Sequence, residues 1–196
     1  MPDLSKNLST EEFARLIVDI LSELKIEYML GGSVALWAWG EVRTTMDVDL
    51  VAHLPLQKTD LLEAELWKNQ MAVPAEIMRD LILDTRSDLP INAIHPFSGN
   101  KAEIFPLRKN DEFRALALDR RLLVSLREPL GQVYVHSPED LILYKLYYYS
   151  ISRQTKHNRD IGSILSSGHK LDMHYIQTWA SRKGLLNIWR EFLSNE

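Results

Sequence analysis

The sequence predicts an α/β (α+β) fold, βα-type in its first half and helical at its end. Three observations carry this. Short apolar, β-leaning runs alternate with helical periodicities through residues 1–136. One run, Asp47-Val48-Asp49-Leu50, alternates acid with aliphatic side chain, as a strand with one polar face does. From Ser137 onward the pattern is helical almost to the end, with no Pro/Gly-rich linker at the change. We therefore expect residues 1–136 to form an α/β core and residues 137–196 a helical region packed on it.

The elements follow in order. Ser9-Thr10-Glu11-Glu12 has the form of a capping box, and Phe13, Leu16, Ile17, Ile20, Leu21 and Leu24 recur at helical spacing behind it. Residues 26–30 are short, apolar and β-leaning, and Gly31-Gly32 ends them. Residues 34–39 fit one or two helical turns with Gly40 as the stop and Ser33 placed to cap. Residues 46–51 read as a strand and 55–69 as a helix over its outer face, while 75–83 reads as helix or loop. Residues 90–95, 101–107, 121–126 and 132–135 are strand candidates. Helices are expected at 137–150, 159–165, 172–182 and 184–193, and Asp160 reads as a site acid or, the better reading, as the cap of a helix starting at Ile161. Trp37, Trp179 and Trp189 fall on apolar helical positions and belong to the core or an interface.

Composition narrows the function classes. With 196 residues, 45% hydrophobic and 26% charged, the chain can bury a sizeable core. No apolar run approaches the roughly 20 residues that span a bilayer. Residues 1–6 lack a basic and apolar leader, so a cytoplasmic protein without a membrane association is expected. The chain has no cysteine, which excludes disulfides and thiolate zinc sites. Its net charge of −4 gives no whole-molecule attraction to nucleic acid. The six histidines show no metal-ligand spacing.

The chemistry concentrates in two motifs. Strand alternation would put Arg43, Thr45, Asp47 and Asp49 on one face, with Val48 and Leu50 turned into the core. Residues two apart on that face are about 7 Å apart, a spacing at which carboxylates jointly hold divalent cations. Mg²⁺ suits such a site, being a hard cation shared between carboxylates and substrate phosphates. The plainer reading is a solvated strand whose acids pair with Arg43, although Asp is disfavoured in strands. Gly31-Gly32-Ser33 lets the backbone approach a phosphate while N–H groups and the hydroxyl donate to it, or simply turns the chain. It is neither a Walker loop nor a dinucleotide fingerprint.

Leu30-Gly31-Gly32-Ser33 followed by Asp47-Val48-Asp49-Leu50, with Glu103 on a later strand candidate, resembles the nucleotidyltransferase superfamily that includes DNA polymerase β. The run Gly-Gly-Ser-Val-Ala-Leu followed by Arg43-Thr44-Thr45-Met46-Asp47-Val48-Asp49 is similar to its bacterial minimal, AbiEii-like branch. Ser137-Pro138-Glu139-Asp140-Leu141-Ile142, Lys145-Leu146 and Arg159-Asp160-Ile161 extend the likeness, which touches residues 28 to 165. The resemblance implies a mixed sheet flanked by helices and transfer of a nucleoside monophosphate from an NTP, with Mg²⁺ or Mn²⁺, to a hydroxyl acceptor. By the same resemblance Asp47, Asp49 and Glu103 would hold the metal, and Glu103 could instead take the proton of the attacking hydroxyl. Gly31, Gly32, Ser33, Arg43 and Thr45 would hold the nucleotide, and Lys145 would face it. Relatives often carry Asp where this chain has Glu103, and some members have lost catalysis.

Some members of that branch are toxins that modify RNA, so RNA or tRNA is the implied acceptor and a cognate antitoxin the implied partner. The rival expectations are a small-molecule enzyme of the antibiotic-modifying kind and a silent nucleotide- or partner-binding module. Arg153, Lys156, His157 and Arg159, beside Tyr147 to Tyr149, read as a solvated loop between helices or as a nucleic-acid contact. Ser137 to Asp140 reads as a helix start, with Pro at the first position and acids complementing the dipole.

Overall fold

In the computed structural model, which describes residues 7–194, six strands form one mixed sheet in the order β3-β4-β2-β1-β6-β5. Residues 1–6, on which the absence of a leader was read, lie outside the described residues. α1 (Thr10–Glu23) starts at the expected capping box: Ser9 accepts from the Glu12 amide and Glu12 reaches back to the Ser9 amide. Phe13, Ile17, Ile20 and Leu21 are its buried stripe. β1 (Glu27–Leu30) pairs antiparallel with β2 (Asp47–His53), so Leu30 lies opposite Leu50. β2 in turn pairs in parallel with β4 (Lys101–Pro106), which sets Asp47 opposite Lys101 and Asp49 opposite Glu103. β3 (Ile91–Ile94) covers the outer edge of β4 in antiparallel sense. β6 (Gln132–Val135) lies parallel to β1 on the other side, with β5 (Leu122–Ser125) antiparallel beyond it.

Helices fill the connections. α2 (Gly32–Trp39) follows β1 directly. A short 3-10 turn at Leu56–Lys58 precedes α3 (Thr59–Lys68), so the expected 55–69 helix begins with a tighter turn. Residues 75–83 are helical, as α4 (Ala75–Leu83). α5 (Glu112–Asp119) was not expected; Asp111 caps it by accepting from the Arg114 amide. α6 (Pro138–Ser152), α7 (Thr155–Ser166), α8 (Met173–Arg182) and α9 (Leu186–Ser194) make the helical end. One buried apolar cluster runs through both halves, from Phe13, Leu30 and Val48 to Leu146, Ile161, Ile176 and Trp189. Among the described residues no helix is long and apolar enough to cross a membrane.

Four local expectations need correction. Ser33 does not cap α2: the helix begins two residues earlier than expected, at Gly32 with Gly31 in the cap position, and Ser33 is buried inside its first turn. Arg43 and Thr45 are not on the acid strand, because regular structure starts only at Asp47. The segment before it is held by other means. The Trp37 indole donates to the Arg43 carbonyl, and the Thr10 hydroxyl to that of Thr45. Asp160 is no cap, since α7 starts at Thr155 and carries Asp160 in its buried face. For the same reason Lys156, His157 and Arg159 are the first turns of a helix and not a solvated loop.

Candidate active site

Gly31 and Gly32 fix the floor of the site. The Gly31 amide donates to the Asp49 carbonyl at 2.8 Å, extending the β1–β2 pairing one residue beyond the strand. Gly32 then takes φ +53°, a conformation that disfavours any residue with a Cβ. A Cβ there would fall 1.8 Å from Asp49 Oδ2. The glycine turn and the second acid are thus in contact through the backbone, which is why the two motifs work as one feature. On the other side of Gly31 stands His136, just past the end of β6, with its Nδ1 3.2 Å from the Leu30 carbonyl. Burial holds that imidazole neutral, pushing its pKa down to about 3, and its Nε2 has no hydrogen-bond partner.

The turn and the acid strand open onto a cleft of about 350 Å³. Gly31, Gly32, Ser33, Arg43, Thr45, Asp47, Asp49, Glu103 and Lys145 all line it, so every expected site residue arrives in one place. Arg43 and Thr45 reach it from the irregular segment before β2. Thr45 is braced by its hydroxyl, which meets both the amide and the carbonyl of Asp47 at 3.1 Å. Arg43 and Lys145 do not point freely at a ligand. Lys145 Nζ donates to Asp160 Oδ2 at 2.5 Å, and Arg43 Nε to Asp160 Oδ1 at 3.2 Å. Burial lowers the Lys145 pKa, while Asp160 opposes the shift.

The acids lie on neighbouring strands. Burial raises the Asp49 pKa to about 6, helped by the negative charge of Glu103 and opposed by Lys145. Glu103 accepts from Lys101 Nζ at 2.5 Å, and the same ammonium lies 3.5 Å from Asp47 Oδ1. The donor chemistry fits a hard divalent cation: three carboxylates on one sheet face, the buried one among them raised in pKa by burial and by its acidic neighbours. Their spacing as it stands is not that of a metal cage, since among the described residues no three His, Asp or Glu side chains are grouped closely enough to hold an ion. Lys101 is the cation between two of them.

Several lining residues escaped the sequence reading. Arg114 comes from α5, with its guanidinium 5.5 Å from the Phe105 ring centroid and 5.9 Å from that of Tyr144. His136 and Tyr144 pack with ring centroids 4.9 Å apart. A strand end followed by histidine could have flagged His136; no local signal marks Arg114, which only tertiary packing brings in. Tyr148 and His157, which also line the cleft with Lys156, stack with centroids 6.2 Å apart and planes at 23°. The His157 pKa falls to about 4, through burial and the nearby Lys145 and Lys156 charges. Ser137 to Asp140 behaves as the helix start it was read to be: the Ser137 hydroxyl caps the Asp140 amide, and Arg120 pairs with Asp140 and Glu139.

No protein-family profile matches the sequence, and no curated protein matches it closely. Solved structures do match the fold. The solution structure of the antibiotic-resistance factor ANT(2'')-Ia superposes with a TM-score of 0.58 at 16% identity, covering 91% of this chain and 97% of that one. ANT(2'')-Ia in complex with adenylyl-2''-tobramycin gives 0.51 at 16% identity over 95% and 97%. An antigenic nucleotidyltransferase-like protein from Paracoccidioides brasiliensis gives 0.52 at 22% identity over 81% and 75%. The chain has an α/β nucleotidyltransferase-like fold, with a mixed six-stranded sheet and a helical C-terminal region.

Proposed function

We propose that the protein is a nucleotidyltransferase that moves a nucleoside monophosphate from an NTP to a hydroxyl of a small-molecule acceptor. The observation that carries this is the contact between the Gly31-Gly32 turn and Asp49 at the floor of a cleft that also holds Asp47, Glu103 and Lys145. The turn brings backbone N–H groups and the Ser33 hydroxyl to the phosphates. Asp47 and Asp49 would hold Mg²⁺ or Mn²⁺, which when bound supplies Lewis-acid stabilisation of phosphate charge, leaving Glu103 beside them as the base. Glu103 accepts the proton of the acceptor hydroxyl as its oxygen bonds to the α-phosphorus. The bond from that phosphorus to the leaving pyrophosphate breaks in line, and Lys145 and Arg43, oriented by Asp160, make the potential there more positive as negative charge develops.

A small acceptor is favoured by three things. The cleft is of drug-like size within one chain. The net charge of −4 gives no attraction to a polyanion. The fold also aligns over most of its length with a structure holding an adenylylated tobramycin. One observation favours RNA instead: Lys156 and the Tyr148–His157 stack, a cation beside stacked rings, line the cleft. The test is incubation with each labelled NTP and Mg²⁺, against a panel of aminoglycosides and lincosamides and, separately, total cellular RNA. Mass spectrometry should find one nucleotide added to a small acceptor, and none with the Asp47→Ala/Asp49→Ala double variant. Label in RNA would change the acceptor. No transfer to either, or full transfer by the double variant, would overturn the reading.

A further inference from the structure

We infer that Lys101 is a built-in cation that takes the place of one metal ion, so that the site accepts a single divalent cation on the Asp47–Asp49 edge. The inference rests on the nucleotidyltransferase reading above and sharpens it. Parallel register sets Asp47 opposite Lys101 and Asp49 opposite Glu103. Side-chain alternation puts all four on one sheet face, at the corners of a rectangle roughly 5 Å by 7 Å. Three corners are carboxylates and the fourth is an ammonium.

Lys101 does not lie idle at its corner. Its Nζ reaches along β4 to Glu103 Oε1 at 2.5 Å and across to Asp47 Oδ1 at 3.5 Å. Glu103 on its own strand and Asp47 across the register hold the ammonium between the two strands. An ion bridging Asp47 and Glu103 would need Mg–O distances of about 2.0–2.1 Å to oxygens that this ammonium already engages. It would also sit against a fixed positive charge. Asp49 has no ion pair with Lys101, and its Oδ2 adjoins the Gly32 turn where phosphates are expected. One divalent cation placed there, between Asp47, Asp49 and the phosphates, neutralises the two charges that Lys101 leaves unbalanced. A second would meet repulsion.

The test counts Mn²⁺ bound to the full chain in the presence of a non-hydrolysable NTP analogue, by calorimetry and by the loss of the free-ion electron spin resonance signal. Wild type is expected to bind one Mn²⁺, Lys101→Met and Lys101→Gln two, and Lys101→Arg one. Should the second ion be too weak to count, the neutral variants bind the first roughly tenfold tighter or more, since a cation a few ångströms away is gone. Lys101 is half-exposed, and thermal melting confirms that each variant is folded. Two ions in wild type, or equal stoichiometry and affinity in all four proteins, would overturn the role of Lys101 while leaving the nucleotidyltransferase reading intact. Absence of any Mn²⁺ binding in wild type and neutral variants alike would overturn both. Asp49→Asn, expected to lose the single ion, separates the cleft from adventitious binding elsewhere.

Discussion

Lys145 Nζ lies 2.5 Å from Asp160 Oδ2, an ion pair between α6 and α7 with both side chains almost wholly shielded from water. Arg43 completes it from the opposite side of the carboxylate. A buried carboxylate between two cations holds both in place, and removing it strands them. Asp160→Asn should cost about 3–5 kcal/mol in urea unfolding, the penalty for leaving a buried charge unpaired. Lys145→Met should cost less, because Arg43 still compensates Asp160. Equal losses, or a loss below about 1 kcal/mol for Asp160→Asn, would show that water reaches the pair.

Gly32→Ala separates strain from collision. The positive φ alone costs about 1–2 kcal/mol for a residue with a Cβ. Gly168 also has positive φ, at +80°, but a Cβ there meets nothing within 4 Å. Gly168→Ala should therefore lose only the cost of the positive φ, and Gly32→Ala that cost plus the displacement of Asp49. Only Gly32→Ala should lose binding of an NTP analogue, measured by calorimetry, because its Cβ displaces Asp49. Unimpaired binding by Gly32→Ala would mean that Asp49 can move without consequence.

Asp49 sets an acid limit on activity. Its pKa in the folded protein is raised to about 6 from 3.8, chiefly by burial. A cation needs the ionised form, so transfer should fall as pH drops through about 6 at low Mg²⁺, and the midpoint should move lower at high Mg²⁺. Stability carries the opposite sign. A raised carboxyl pKa contributes stability that is present below 3.8 and lost as pH rises through about 6. His136 and His157, with lowered values, contribute stability that is present above 6.5 and lost as pH falls towards about 3 and about 4 respectively. The difference between wild type and Asp49→Asn in urea unfolding isolates the Asp49 part. A pH–rate midpoint near 4, or one that ignores Mg²⁺, would contradict this assignment.

Which parts of this site were legible in the sequence follows from how local each signal was. Asp47-Val48-Asp49 announced a strand with one polar face because side chains alternate with period two, and β2 has that pattern. The glycine turn was equally local. The contact that joins them, Gly32 against Asp49, is a product of antiparallel pairing between β1 and β2 and has no sequence signature. Asp160 misled because an acid before an aliphatic run looks like a cap; the polar run 155–159 hid the true helix start, whose N-cap Gln154 makes no side-chain hydrogen bond. α5 was overlooked between two strands, although Asp111 and the Phe113, Ala117 and Leu118 stripe were there to be read. With it went Arg114, whose place in the cleft depends on how α5 packs against Phe105 and Tyr144.

The site draws on residues 31–49, then 103, and only later on 136, 145 and 160. During synthesis Asp47 and Asp49 therefore leave the ribosome about a hundred residues ahead of the Lys145–Asp160 pair. Until α6 and α7 dock, Asp49 faces Glu103 without the buried lysine that moderates their repulsion. A nascent chain can pair β1, β2 and β4 before its helical end exists, yet the nucleotide binding proposed above would wait for α6 and α7. Competence of the proposed site would thus be a late event in the life of each molecule, timed by where two helices fall along the chain.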